Sequence, residues 1–93
     1  MNTNTLTLPR ISLGGTNGDD LLESYGVAYR AALEALGKLA QNACPNGRDY
    51  ASWDDFLAAK EQHEERMKRI ESVVLELDQI RDSICTQTLE RKL

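Results

Sequence analysis

Apolar residues recur along two stretches of the chain at alternating spacings of three and four. Leu22, Tyr25, Tyr29, Ala32, Leu36, Leu39 and Ala43 carry the rhythm in the first stretch. Met67, Ile70, Val74, Leu77 and Ile84 carry it in the second, with Arg81 occupying one slot. That spacing puts each set on one face of an α-helix. The break between them contains Cys44, Pro45, Asn46 and Gly47, and the Asn-Gly pair is a strong turn signal. Two apolar-faced helices joined by a short connection fold back on each other. The pattern therefore predicts an all-α fold, a long antiparallel two-helix hairpin of coiled-coil type, in a single helical domain over residues 1–93.

The boundaries follow from local chemistry. Leu6, Leu8, Ile11 and Leu13 alternate with Thr7, Arg10 and Ser12, and Pro9 lies among them, so residues 1–13 read as an extended N-terminal arm. Gly14, Gly15, Thr16, Asn17 and Gly18 form a turn that completes the arm segment at residue 18. Thr16 or Asn17 caps the first helix, expected over 19–43, and Asp19, Asp20 and Glu23 suit its positive end. Gly26 and Gly37 inside it each cost about 1 kcal/mol relative to Ala, which suggests a close helix–helix approach. Residues 44–52 form the connection. Ser52 with Asp55 resembles a capping box and opens a second helix over 53–90, with no Pro or Gly to interrupt it. At about 1.5 Å per residue the second helix extends for roughly 57 Å against roughly 39 Å for the first. The excess, carrying Ile80, Ile84 and Leu89, calls for the arm or a second copy to cover it, and an oligomeric helical bundle is expected.

Composition sharpens this picture. Hydrophobic residues make up 41% of the 93 positions but aromatics only 5%, so Leu, Ile, Val and Met supply most of the burial. A core this small is thin, which again favours self-association. Eleven basic and fifteen acidic residues give a net charge of −4. The bases are interleaved with acids, as in Glu64, Glu65, Arg66, Lys68, Arg69 and Glu71, so no basic face for duplex nucleic acid is expected. Glu64 with Lys68 and Glu65 with Arg69 have the i,i+4 spacing of helix ion pairs. No apolar run approaches the roughly 18 residues of a membrane span, and no secretory signal pattern opens the chain. Cys44 and Cys85 would lie at opposite ends of a hairpin, beyond disulfide reach, so both are expected as free thiols in a cytoplasmic protein.

Candidate chemistry is sparse. His63 is the single histidine and has no partner at metal-ligand spacing, since position 67 is Met; it is expected at an exposed or stripe-edge position. No metal site, cofactor or catalytic set is expected, and the chain is not read as an enzyme. Gly15 and Thr16 lie in a glycine-rich loop leading into a helix N-terminus, where backbone N–H groups could cradle a phosphate. The loop lacks a Walker lysine, and Asp19 and Asp20 would repel an anion. Arg48, Asp49 and Tyr50, followed by Trp53, form the densest polar and aromatic cluster. Arg48 offers a planar donor fork for carboxylate or phosphate, and Tyr50 and Trp53 offer stacking faces. The structural alternative pairs Arg48 with Asp49 at the turn and uses Trp53, Phe56 and Leu57 to fasten the second helix. In a hairpin the two loops fall at opposite ends, so a pocket shared between them would need a second subunit.

The run Ile11-Ser12-Leu13-Gly14-Gly15-Thr16, an Ala- and Leu-rich helix, then Asn46-Gly47-Arg48-Asp49-Tyr50 and a charged final helix resembles small uncharacterised bacteriophage and prophage proteins. Ala51 stands where similar proteins often place an aromatic residue. The resemblance implies a small protein of the bacterial host cytoplasm that acts by binding a host component, as inhibitors of bacterial defence do. The partner would be a host protein or a small nucleotide signal, with Arg48, Asp49, Tyr50, Trp53, Gly15 and Thr16 as the candidate ligand-binding residues. The alternative is a structural coiled-coil protein that only self-associates.

Overall fold

A computed structural model describes residues 6–92; the part of the expected N-terminal arm that falls on residues 1–5 lies outside them. Two α-helices, α1 (Gly18–Gln41) and α2 (Trp53–Lys92), pack as a hairpin, and a single turn of 3-10 helix at Gly47–Asp49 lies in the connection. Among the described residues there is no strand, and no helix is long and apolar enough to cross a membrane.

The helix ends are set by identifiable groups. Asn17, not Thr16, caps α1: its Oδ1 accepts from the backbone N–H of Asp19 at 2.7 Å and of Asp20 at 3.3 Å. Asp19 and Asp20 add negative charge to the first turn and Lys38 adds positive charge to the last, both in the sense the helix dipole favours. Helix α1 stops two residues before the expected position 43. The N–H groups of Asn42 and Ala43 converge on the Lys38 carbonyl, at 2.8 and 3.3 Å, which opens the regular ladder ahead of Pro45. Ser52 opens α2, its Oγ accepting from the Asp55 N–H at 3.1 Å. With no breaker in its path, α2 continues two residues beyond the expected end at 90.

Contacts divide the chain into two units. One combines the chain up to Arg30 with the chain from Leu75 onward, and Ile84, at 0% exposure, is its buried centre. In this unit the arm runs along α2, held by Gln87, whose carboxamide accepts from the Ile11 N–H at 2.9 Å and donates to the Pro9 carbonyl at 3.0 Å. Arg91 adds a bond to the Ile11 carbonyl at 3.3 Å. The second unit spans Ala31–Val74 and buries Val74 and His63. Val74 and Ile84 are the buried hydrophobic core residues among those described, Ile84 completely so, and full burial of such a side chain stabilises by about 1.5–3 kcal/mol. The core is as thin as the composition implies.

Three local expectations are corrected. Neither Gly26 nor Gly37 serves a close approach between helices. The nearest atoms a Cβ at the buried Gly26 would meet belong to the Arg30 guanidinium of the same helix, from 3.3 Å, and one at Gly37 would meet nothing within 4 Å. The close approach is at Gly18, where an added Cβ would lie 2.6 Å from Thr88 Oγ1. The i,i+4 pairs Glu64–Lys68 and Glu65–Arg69 do not close, because these side chains are exposed and water competes for them; among the described residues the ion pair that forms is Arg81–Asp78, at 3.4 Å. His63 is buried, at 4% exposure, because 63, 67, 70 and 74 continue the apolar spacing one slot towards the turn.

Candidate functional site

The connection is shaped by Asn46. Its backbone is extended, with φ −121° and ψ 131°, and its side-chain oxygen accepts from the Arg48 N–H at 3.1 Å. Its carbonyl accepts from the Asp49 N–H at 3.0 Å, and the Gly47 carbonyl accepts from the Tyr50 N–H at 3.3 Å. Residues 47–49 are thereby held in one 3-10 turn, with the N–H groups of Arg48, Asp49 and Tyr50 satisfied locally.

The side chains on this turn are left open. Arg48 donates through Nε to Asn46 Oδ1 at 3.4 Å, and its two terminal nitrogens have no partner among the described residues. The adjacent Asp49 carboxylate makes no ion pair with it, so the expected fastening of Arg48 by Asp49 does not occur. With Nε on Asn46 and both terminal N–H pairs free, the guanidinium is available for bidentate contact with a carboxylate or phosphate.

Aromatic packing continues from the turn into α2. The Tyr50 and Phe56 rings lie 6.2 Å apart, tilted by 51°, and Trp53 and Phe56 lie 5.3 Å apart at 43°. Phe56 is thus the shared seat, half-buried, between two more exposed rings. Trp53 remains 68% exposed. The cluster therefore fastens the start of α2, as the structural alternative expects, while leaving most of the indole on the surface. Arg48, Asp49, Tyr50 and Trp53 all belong to the unit Ala31–Val74.

Gly15 and Thr16 belong to the other unit. The Gly15 N–H is directed to the Ser12 carbonyl at 3.2 Å, and the first free donors of α1 are taken by Asn17. A small depression of about 160 Å³ beside this loop is lined by Ile11, Asn17, Gly18, Asp19, Thr88 and Arg91 rather than by Gly15 or Thr16. The Gly15 N–H and the Asp19 and Asp20 N–H groups are therefore already occupied within the loop and cap, and an anion here would compete with Ser12 and Asn17 for them.

Sequence reasoning did not find Lys60, Glu61 and Glu64. With Leu57 they line a shallow depression of about 370 Å³ on α2, within the same unit as the turn. Their signal in the sequence was the i, i+3, i+4, i+7 spacing from Leu57. Nor did it find the buried polar atoms that lack hydrogen bonds, His63 Nδ1, Arg81 Nε and Thr88 Oγ1. No group of three or more His, Cys, Asp or Glu side chains among the described residues could hold a metal ion, and Cys44 and Cys85 are exposed free thiols. No family model matches this sequence, and no curated protein or solved structure matches it either.

Proposed function

We propose that this chain is a non-enzymatic binding protein that recognises a host component through the turn bearing Arg48, Asp49 and Tyr50. The observation that carries this reading is the unspent pair of charges: Arg48 and Asp49 are neighbours on one turn, form no ion pair with each other, and leave the two terminal nitrogens of Arg48 without a partner among the described residues. Opposite charges this close, left open beside an aromatic ring, match the polar and aromatic composition of recognition surfaces.

A host protein is favoured over a small nucleotide as the partner. Residues 47–50 of the turn are exposed, and in the other loop the Gly15 N–H is already taken by the Ser12 carbonyl. The resemblance to phage and prophage proteins is the support for placing this binding in an infected bacterial cytoplasm and for a counter-defence role.

Affinity capture from a bacterial host with the wild-type chain, Arg48→Ala and Tyr50→Ala tests the reading. A host protein retained by the wild type and lost from both variants, at unchanged helicity, is the expected outcome. Equal retention by all three chains removes the turn from the binding surface.

A further inference from the structure

The N-terminal arm is an extended segment seated on α2 and read through its main chain. Gln87, braced by Ser83 Oγ at 3.1 Å, grips one residue of the arm from both sides. Its carboxamide accepts from the Ile11 N–H at 2.9 Å and donates to the Pro9 carbonyl at 3.0 Å, as the edge of a neighbouring strand would. Arg91 donates to the Ile11 carbonyl at 3.3 Å. Every one of these bonds goes to a backbone atom, which other extended segments also carry. Side-chain selection falls to Leu6, Pro9 and Ile11, which are half-buried, while Thr7, Leu8 and Arg10 are exposed.

The arm fills this site incompletely. Beside Ile11 a depression of about 160 Å³ stays open between the arm, the start of α1 and the end of α2. Thr88, on its wall, keeps a buried hydroxyl without a hydrogen bond. No arm side chain is fully buried, and the joint that follows opens easily: a Cβ at Gly14 would meet nothing within 4 Å, and the turn is closed by the Gly15 N–H on the Ser12 carbonyl at 3.2 Å. We propose that the arm is the resident, imperfect occupant of a peptide-binding site, and that an extended segment of a partner protein displaces it. The displacing segment carries apolar residues at the spacing of Leu6, Pro9 and Ile11, with a side chain larger than isoleucine at the last position to enter the depression. A tethered arm competes at an effective concentration on the order of mM, so a foreign segment has to fit better than the arm does to replace it. The site lies in the other unit from the turn bearing Arg48 and does not depend on it.

The test uses the full chain and two labelled peptides, residues 6–13 as they stand and the same peptide with Ile11→Phe. Anisotropy follows binding, and hydrogen exchange at the Ile11 amide of the chain follows displacement of the arm. The Ile11→Phe peptide should bind about tenfold more tightly than the unchanged one and quicken exchange at Ile11. A chain carrying Ile11→Gly, which weakens the resident arm and leaves both helices untouched, should bind either peptide roughly three- to tenfold more tightly than the wild type does. Adding Gln87→Leu to that chain should weaken binding about five- to thirty-fold at unchanged circular dichroism. The proposal is overturned if the helical Ile11→Gly chain binds neither peptide up to about 1 mM, a range that covers the weakest specific contacts. Binding that Gln87→Leu leaves intact, or that does not quicken exchange at Ile11, overturns it too, because the peptide then sits elsewhere. A concentration-dependent doubling of mass, reversed by the peptide, would replace the foreign segment by the arm of a second copy. Arg48→Ala should leave peptide binding unchanged, which separates failure of this site from failure of recognition at the turn.

Discussion

The guanidinium carbon of Arg81 lies 4.5 Å from the centroid of the Tyr29 ring. This contact explains how a cation occupies a slot in the apolar stripe of α2. The ring face takes the charge, Asp78 pairs with one terminal nitrogen at 3.4 Å, and the aliphatic stem fills the slot. The arrangement is incomplete, because Arg81 Nε is buried without a partner.

That balance predicts the effect of removing the charge. The cation–π contact contributes about 0.5–2 kcal/mol and the partly exposed ion pair at most about 1, while an unpaired buried donor costs about 1–3. Arg81→Met keeps the stem, ends the unpaired donor and should leave the chain at least as stable in urea denaturation. Tyr29→Leu, which strips the cation of its ring, should destabilise by about 0.5–2 kcal/mol. A loss of stability in Arg81→Met larger than in Tyr29→Leu would show that the guanidinium has a partner more important than the ring.

The arm is held by one side chain acting as a surrogate for neighbouring backbone. The Gln87 carboxamide meets the Ile11 N–H and the Pro9 carbonyl, and its Nε2 also meets Ser83 Oγ at 3.1 Å. Gln87→Leu is close in size but leaves the arm's donor and acceptor unmatched, at a cost of about 1–2 kcal/mol. Hydrogen exchange at the Ile11 amide should quicken by roughly five- to thirty-fold, the equivalent of that cost, with the α2 amides of residues 63–74 unchanged. Unchanged exchange at Ile11 would mean that apolar packing, not the carboxamide, retains the arm.

Gly18 and Thr88 give a paired prediction. Gly18→Ala would gain helix propensity of about 0.5–1 kcal/mol, yet its Cβ would lie 2.6 Å from Thr88 Oγ1, so Thr88 must leave its rotamer. A net destabilisation is expected. Thr88→Ala should relieve it, and the two changes together should be non-additive by about 0.5–3 kcal/mol. Thr88→Val alone should stabilise by about 1 kcal/mol, because the buried hydroxyl has no partner to lose. Additivity of Gly18→Ala and Thr88→Ala in thermal or urea denaturation would show that the two residues do not touch.

Most of the architecture was legible because periodicity and breakers are local signals. The stripe from Leu22 to Leu39, the break at Pro45 to Gly47 and the Ser52 cap fall where side-chain spacing and turn chemistry put them. What escaped depends on which residues meet across the packing. Gly26 and Gly37 drew attention because glycine is unusual within a helix, whereas Gly18, in a loop-like context, is the one pressed against another side chain. The turn at Arg48 was recognisable from composition, but composition does not say that Arg48 meets Asn46 rather than its neighbour Asp49. The recess lined by Lys60, Glu61 and Glu64 passed for an ordinary charged helix face, since neighbouring charges at helical spacing look the same whether or not a hollow lies between them.

His63 departs furthest from its expectation and yields the last prediction. It occupies an apolar slot at 4% exposure, and its Nδ1 is buried without a hydrogen bond. An unpaired buried polar atom costs about 1–3 kcal/mol, and Met in its place would keep the volume while supplying a flexible apolar side chain. His63→Met should therefore stabilise the chain by about 1–2 kcal/mol in urea denaturation. His63→Ala should instead destabilise, because the cavity it leaves outweighs the relieved polar atom. The two variants separate shape from polarity at one position. If both destabilise equally, the imidazole makes an interaction that methionine cannot replace, and its polarity, rather than its bulk, holds this slot.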